Sequence, residues 1–387
     1  MSSSTSEHDV IIIGAGPVGL YLAGILAQQD FTVTILEKKT DVDRHSKSLG
    51  IHPVSLELFE DAGIADRFTE AGLQIRRGHA FIDQKMIGAV SFQTCPKPFN
   101  YILALPQYRT EEILEAWCRS FDNITIHRGA NFDSFNQTEE NIDVKFTLNE
   151  KEHTVRGNYL VGCDGKNSRV REMAGIHFDG SPYPDTYIMG DYSDNTDFGP
   201  DAAVYLHRDG LIESFPLPDS RRRWVVKTGS YIEQPVRTIL DDLVEERLNH
   251  SLADQTNSMI SSFGVQHHLA ERFHRGRVLL AGDSAHVVSS IGGQGSNLGW
   301  ITAANLAESL SAIRKKSSRR EPILSNFSKI SRSTAKTVAK RAEINMWLGR
   351  KRSFPLIRNL IARLIVNTPL QRRMARMFTM RGLGGRW

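Results

Sequence analysis

Val10-Ile-Ile-Ile13-Gly14-Ala-Gly16-Pro17-Val18-Gly19, the apolar run Leu20 to Gln28, and then Thr32-Val-Thr-Ile-Leu36-Glu37 decide the fold. The first aliphatic run reads as a buried strand, the run after the glycines as a helix, and Thr32 to Leu36 as a second strand closed by an acid. Each glycine has its own task. Gly14 turns the chain, Gly16 lets a pyrophosphate approach the backbone, and Gly19 lets the helix lie against the strand. Glu37 is placed to take the hydroxyls of an adenosine ribose. A lone GxGxxG is a weak signal; with strand, helix, second strand and terminal acid around it, the unit specifies a dinucleotide site. It does not decide between FAD and NAD.

A second stretch, Arg277-Val-Leu-Leu-Ala-Gly-Asp283-Ser-Ala-His286, runs on to Gly292-Gly293-Gln294-Gly295-Ser296-Asn297-Leu-Gly299. Val278 to Ala281 reads as another buried strand, and Gly282 permits a sharp turn at its end. Asp283 can accept hydrogen bonds from sugar-like hydroxyls. The glycines from 292 to 295 bring backbone N–H groups close to a flat ligand. Leu298 to Ile313 has helical spacing, so positive partial charge at its start would face that ligand.

Asn158-Tyr-Leu-Val-Gly162-Cys-Asp164-Gly165-Lys-Asn-Ser168-Arg169-Val-Arg171 is a strand that stops at a Gly/Asp turn and opens a basic helix start. With the three motifs in this order, residues 8 to 310 resemble the class A flavoprotein monooxygenases, the para-hydroxybenzoate hydroxylase type of aromatic-ring hydroxylase. The resemblance implies an α/β fold: a Rossmann-like, three-layer FAD-binding domain, an inserted mixed β-sheet substrate domain and a C-terminal helical segment. The expected FAD-binding parts are 1–75, 100–180 and 265–340, the expected sheet domain 76–99 and 181–264, and the charge and apolar spacing of the tail add basic amphipathic helices at 341–387. It implies non-covalent FAD held by Gly14, Gly16, Pro17, Val18, Gly19, Glu37 and Lys38. Arg44 and Gln107 would lie near the flavin, Asp164 and Gly165 would serve FAD and the NADH or NADPH donor, and Asp283 would hold the ribityl chain. Gly293, Gln294, Gly295, Ser296 and Asn297 complete the implied set. Two departures concern substrate geometry. Ser289 and Ser290 stand where the family carries proline, which would fix the backbone, and Thr302 stands where it carries an acid.

Between the motifs, Gly78 to Asp83, Ile87 to Phe92, Tyr187 to Asp191, Ala203 to His207, Leu211 to Phe215 and Trp224 to Thr228 read as strands, with Gly210, Pro216 and Pro218 as punctuation. They should form one sheet that roofs the flavin, with Asp241 to Leu248 as a helix packed on it. Tyr183, Tyr205, His207 and Tyr231 are candidates to reach a substrate. Arg221-Arg-Arg223 reads as a solvated turn or a docking patch for nicotinamide phosphates.

The chain has 387 residues, 40% hydrophobic and 24% charged, the composition of an ordinary soluble protein large enough for two domains. Its three cysteines, Cys95, Cys118 and Cys163, have no paired or metal-like spacing, which fits a reducing compartment and no metal site. The leader is polar and no run is long enough to span a membrane, so a cytoplasmic location is expected, without a nucleic-acid partner. The last 47 residues differ. From Arg341 onward eleven Arg/Lys face one acid, Glu343, a net +10 against +4 for the whole chain. Leu356/Ile357, Leu360/Ile361 and Leu364/Ile365 recur at helical spacing, and Leu370, Met374 and Phe378 repeat the pattern. Two readings stand open: helices packed over the substrate domain, or a basic amphipathic surface for peripheral contact with the inner face of an anionic membrane.

The resemblance implies that a nicotinamide donor reduces FAD and that O₂ then forms a flavin hydroperoxide. One oxygen passes to an electron-rich aromatic, quinone-like or related apolar small molecule. No catalytic side chain is assigned, because the flavin carries the hard step. The length also implies no extra C-terminal domain of the kind in longer phenol-hydroxylase-like members. Three alternatives remain: a flavin-dependent reductase of an isoprenoid-like substrate, a halogenase, and a non-catalytic FAD-binding redox or partner protein. Trp117, Trp224, Trp300, Trp347 and Trp387 include no pair two residues apart, which speaks against the halogenase signature.

Overall fold

The computed structural model describes residues 7–44, 48–289, 291–316, 319–350 and 356–383. Its first sheet is built on the aliphatic runs. Glu7–Ile13 lies between Val33–Glu37 and the end of Lys151–Gly162, all parallel, with Ile124–Arg128 outside one neighbour and Val278–Leu280 outside the other. Val10, Ile11, Ile12, Val33 and Ile35 are completely buried, as parallel strands covered on both faces must be. Burying each such side chain contributes about 1.5–3 kcal/mol. Helices Pro17–Ala27, Gln107–Cys118 and Gln294–Lys315 pack together beside this sheet. An antiparallel meander, Asn131–Gln137 and Ile142–Leu148 leading into Lys151–Gly162, adds Phe132, Ile142, Val144 and Phe146 to the same core.

The second sheet has eight strands, in the order His286–Val287, Asn257–Ala270, Phe178–Ser193, Arg221–Thr228, Gly210–Leu217, Ala202–His207, Arg77–Ile82 and Lys85–Ser91. Its outer face is closed by helix Arg237–Leu248, whose Leu240, Val244 and Leu248 pack on Ile188, Tyr192, Ile212 and Trp224. Its inner face carries Tyr187, Met189, Leu211 and Val225, packed with Ile291, Met346 and Ala362. This sheet therefore roofs the loop before Gly292.

One strand was not foreseen, and two expectations change. Asn257–Ala270, the long partner of Phe178–Ser193, has no strand alternation in its sequence, because serines and histidines occupy half-buried positions on both faces. Helix Arg320–Gly349 runs unbroken through the boundary drawn at 340/341, since Ala342 and Met346 continue the apolar spacing of Ala335, Val338 and Ala339. Arg221–Arg223 is neither a solvated turn nor a docking patch. It opens a strand, Arg222 and Arg223 are 0% and 1% exposed, and they are bound to Asp194 at 2.9 Å and Asp191 at 2.6 Å.

The tail packs on the body in an unexpected orientation. Leu356–Asn367 turns Arg358, Ala362 and Val366 inward and leaves Leu356, Ile357, Leu360 and Leu364 exposed. Buried Arg358 donates to the carbonyls of Leu206 and His207, at 3.0 and 3.2 Å. Leu370–Phe378 follows and ends on fully buried Thr379 and Met380. Lys351, Arg352, Arg386 and Ser290 lie outside the described residues.

Candidate active site

The three motifs converge on the start of the first helix. Gly14 has φ +107°, and a Cβ there would stand 2.4 Å from the Cys163 carbonyl oxygen. At Gly19 it would stand 2.1 Å from the Gly14 oxygen. At Gly16 the space is open, with no protein atom within 4 Å. Gly16 caps the helix without any side-chain hydrogen bond, and Pro17 removes one orphan donor, so the remaining first-turn N–H groups face that opening. Glu37 is held by two backbone donors, Ala15 N–H at 2.7 Å and Lys39 N–H at 2.8 Å, one on each carboxylate oxygen. Lys38 is exposed beside it.

Val18 is the contact point for the late motif. A Cβ at Gly299 would meet its Cγ2 at 2.4 Å, Gly282 (φ +69°) approaches it, and the Trp300 indole donates to the Pro17 carbonyl at 3.0 Å. Asp283 is exposed on the floor of this cleft. Its exposure leaves the carboxylate open to a ligand. Helix Gln294–Lys315 starts at Gly293 in the left-handed region, has no acid in its first turn and ends on Arg314 and Lys315. Its N-terminal charge is thus left for a ligand. Gly295 has open space around it, while Gln294 is fully buried with neither side-chain oxygen nor nitrogen hydrogen-bonded.

The central motif joins the same floor. Asp164 accepts from Val170 N–H at 3.2 Å through one oxygen, while the other is buried without a partner, and burial raises its carboxyl above the ordinary range. Gly165 has φ +82°. Arg171 ties this segment to the late motif by donating to the Ser284 carbonyl at 3.0 Å. Gln107 donates to Glu111 at 2.8 Å and lines a hollow with Pro17, Ser48, Ser296 and Trp300.

Two expected site residues stand apart. Asn297 spends its side chain inside the protein, accepting from His52 N–H (2.8 Å) and Ser55 Oγ (2.7 Å) and donating to the carbonyls of Gly50 (2.9 Å) and Gly293 (2.7 Å). It holds the glycine loop in place. Arg44 is exposed on the loop leading to residues 45–47. Thr302, in the place of an acid, pairs with buried His286 at 2.9 Å and donates to the Leu298 carbonyl. His286 Nε2–H therefore donates to Thr302 and Nδ1 is bare. Burial lowers this histidine to about 4.

A family described as FAD binding domain matches residues 7–342. The chain belongs to this FAD-binding family. The residues above fit that cofactor. Gly16 and Gly295 leave open space, two helix starts supply N–H groups, Glu37 is fixed at the second strand's end, and Gln294 and Asp164 hold buried polar atoms without partners. A rifampicin monooxygenase from Streptomyces venezuelae is 32% identical over 311 residues, 79% of this chain and 64% of that protein. The chain thus spans somewhat under two thirds of this relative's length. The anhydrotetracycline hydroxylase OxyS from Streptomyces rimosus superposes with a TM-score of 0.81 at 27% identity, over 97% of this chain and 76% of that one. A p-nitrophenol 4-monooxygenase from Pseudomonas putida DLL-E4 covers 99% of this chain and all of its own with a TM-score of 0.89. At 19% identity it attests the fold alone.

Of the four candidate substrate contacts, Tyr205 lies on the roof's outer face and Tyr231 is 54% exposed. His207 lies near Asp83 and Asp209. Tyr183 touches the inner-face cluster but donates to Glu343 at 2.9 Å. Sequence reading passed over two inner-face residues, Tyr187 and Glu213. The alternation of Gly210–Leu217 puts Glu213 on the same face as Leu211 and Phe215, which was the available signal.

Proposed function

We propose that the chain is an FAD-dependent, NAD(P)H-using monooxygenase that places one oxygen of O₂ on an electron-rich aromatic, quinone-like or related apolar small molecule. The observation that carries this reading is the apolar inner face of the roof sheet, which packs against Ile291 at the edge of the cofactor's glycine loop. Bound FAD supplies the redox and oxygen chemistry. The chain's residues would bind and orient it: N–H groups at Gly16 and Gly293 would meet its anionic parts, Glu37 its ribose hydroxyls and Asp283 its ribityl chain. The roof excludes water from the reacting face. Asp164 and Gly165 would serve both FAD and the nicotinamide donor. The test is donor oxidation with ¹⁸O₂ over a panel of phenols and quinones, with H₂O₂ measured alongside. Substrate should accelerate donor oxidation and acquire one label. Donor oxidation that yields only H₂O₂ with every substrate would defeat the reading, turnover without O₂ would favour the reductase, and a flavin the donor never bleaches would favour a non-catalytic role.

One observation favours an added location. Among the described residues no helix is long and apolar enough to cross a membrane. The outward Leu356, Ile357, Leu360 and Leu364 nevertheless stand with exposed Arg363, and Arg372, Arg373 and Arg376 are exposed on the next helix. This supports a cytoplasmic enzyme that rests peripherally on an anionic membrane, from which an apolar substrate can enter.

A further inference from the structure

Strand register sets one row of side chains across the middle of the roof's inner face. Met189 pairs with Val225, Val225 with Glu213, Glu213 with Val204, and Val204 with Ala80. Four are apolar and the fifth is a carboxylate. The clusters on either side reach the cofactor cleft: Met189, Val204 and Val225 share one with Ile291, and Ala80 shares the other with Leu49 and Ile102. Glu213 is 8% exposed and makes no hydrogen bond or ion pair. Its cations are taken: Lys227 and Arg350 both hold Asp185 at 2.8 Å, and Arg223 holds Asp191. Tyr187, 1% exposed on the neighbouring row, also lacks a partner for its hydroxyl and lies within electrostatic reach of Glu213.

A carboxylate held among apolar side chains without a protein partner is costly, and native folds keep few of them. Two polar groups without a protein partner, on a face whose other charges are paired with one another and whose apolar cluster includes Ile291 beside the glycine loop, are explained together by a ligand that bonds to both. We propose that Glu213 anchors the hydrogen-bond donor of the substrate, with Tyr187 beside it, so that the site takes neutral phenols and turns away the same ring carrying a carboxylate. The inference rests on the monooxygenase reading for the site's purpose and adds the substrate's charge class. A phenolic O–H meets the acceptor it lacks elsewhere on this wall. An anionic group would stand beside a like charge in a poorly solvated place, which disfavours it strongly. The carboxyl's rise to about 7, by burial alone, agrees with the geometry.

The experiment uses the FAD-loaded protein without donor at pH 8, reading Kd from the perturbation of flavin absorbance. The probes are methyl 4-hydroxybenzoate and 4-hydroxybenzoate, which differ in charge and little in shape. The ester should bind at least tenfold more tightly than the acid. Glu213→Gln should shrink that ratio below about threefold by admitting the acid, and Glu213→Asp, which keeps the charge, should retain the preference. Equal Kd values in the parent protein, no binding of either probe, or an unchanged ratio in Glu213→Gln would overturn the proposal. Because no turnover is needed, the two readings fail separately. The expected ratios with no label transfer would sink only the monooxygenase reading, whereas label transfer with an unchanged ratio would sink only the role of Glu213.

Discussion

In the cofactor cradle the geometry is made by backbone, and the residues that matter are those with no side chain. On the inner face of the roof it is made by side chains on a regular sheet, and the residue that matters is one carboxylate in an apolar row. Gly14, Gly16 and Gly19 are constrained by what a Cβ would strike or fill, whatever their neighbours. Glu213 is constrained only through the strands paired on either side of it. Backbone-built sites leave a spacing in the sequence, while side-chain-built sites leave only an alternation whose inward phase depends on partners far along the chain.

The largest effect that could break this comparison lies in the cradle itself. Gly19→Ala puts a methyl 2.1 Å from the Gly14 oxygen. The backbone must move, at a cost of about 3 kcal/mol or more. Purified protein should be scarce, low in flavin and early to melt. Gly16→Ala sets the methyl in open space at φ −74°, a conformation alanine accepts. Stability should hold within about 0.5 kcal/mol, while FAD affinity falls at least tenfold because the methyl occupies the cofactor's path. Equal flavin content in the two variants would show that the cradle does not work through backbone approach.

On the roof, the expected effect is smaller and depends on pH. Burial raises the Glu213 carboxyl from 4.5 to about 7. Between those values the folded protein holds a proton that the unfolded chain has released, so this group's contribution to stability falls as pH rises and is constant above about 7. Glu213→Gln removes the buried charge. Its gain over the parent should be near zero at pH 4.5 and reach at most about 3 kcal/mol at pH 8, from 1.36 kcal/mol per pKa unit. Melting both proteins across this range isolates the difference, since their other titrating groups are the same. A gain that does not change with pH would mean the carboxyl is not buried as a charge.

The same contrast explains what could be read in advance. Three glycine–acid motifs were legible because each glycine answers a local demand. The family and the α/β fold follow from them, and the match to residues 7–342 agrees. Several roof strands were legible from Val, Tyr and Trp clusters, but Asn257–Ala270 was not, since serine and histidine fill its half-buried positions. The arginines at 222 and 223 misled for a related reason. Their partners, Asp194 and Asp191, lie about 30 residues earlier, on or next to a paired strand, and nothing near the arginines announces them. Asn297 was legible as part of the glycine loop, but its commitment to Gly50 and His52 required the fold.

The tail gives the smallest expected effect and the sharpest contrast between two faces of one helix. Val366 is 8% exposed, and its side chain lies 2.9 Å from where a Cβ would be at Gly88. Leu360 and Leu364 are 60% and 49% exposed on the opposite side. Val366→Ala should therefore cost about 1–2 kcal/mol, and the pair Leu360→Ser with Leu364→Ser about 0.5 kcal/mol or less. That near-neutrality makes the outer face testable by itself. An apolar side chain moved from water into a lipid interface contributes up to about 1.5–3 kcal/mol. Each arginine near an anionic surface adds roughly 1 kcal/mol, a share that salt screens. Four outward aliphatic residues and Arg363, Arg372, Arg373 and Arg376 would suffice for reversible binding. The parent should sediment with anionic vesicles at low salt and less at high salt, and the double serine variant should stay in solution while its melt and flavin content match the parent. A parent that ignores vesicles at every salt would end the membrane reading and leave packing on the roof as the tail's only role.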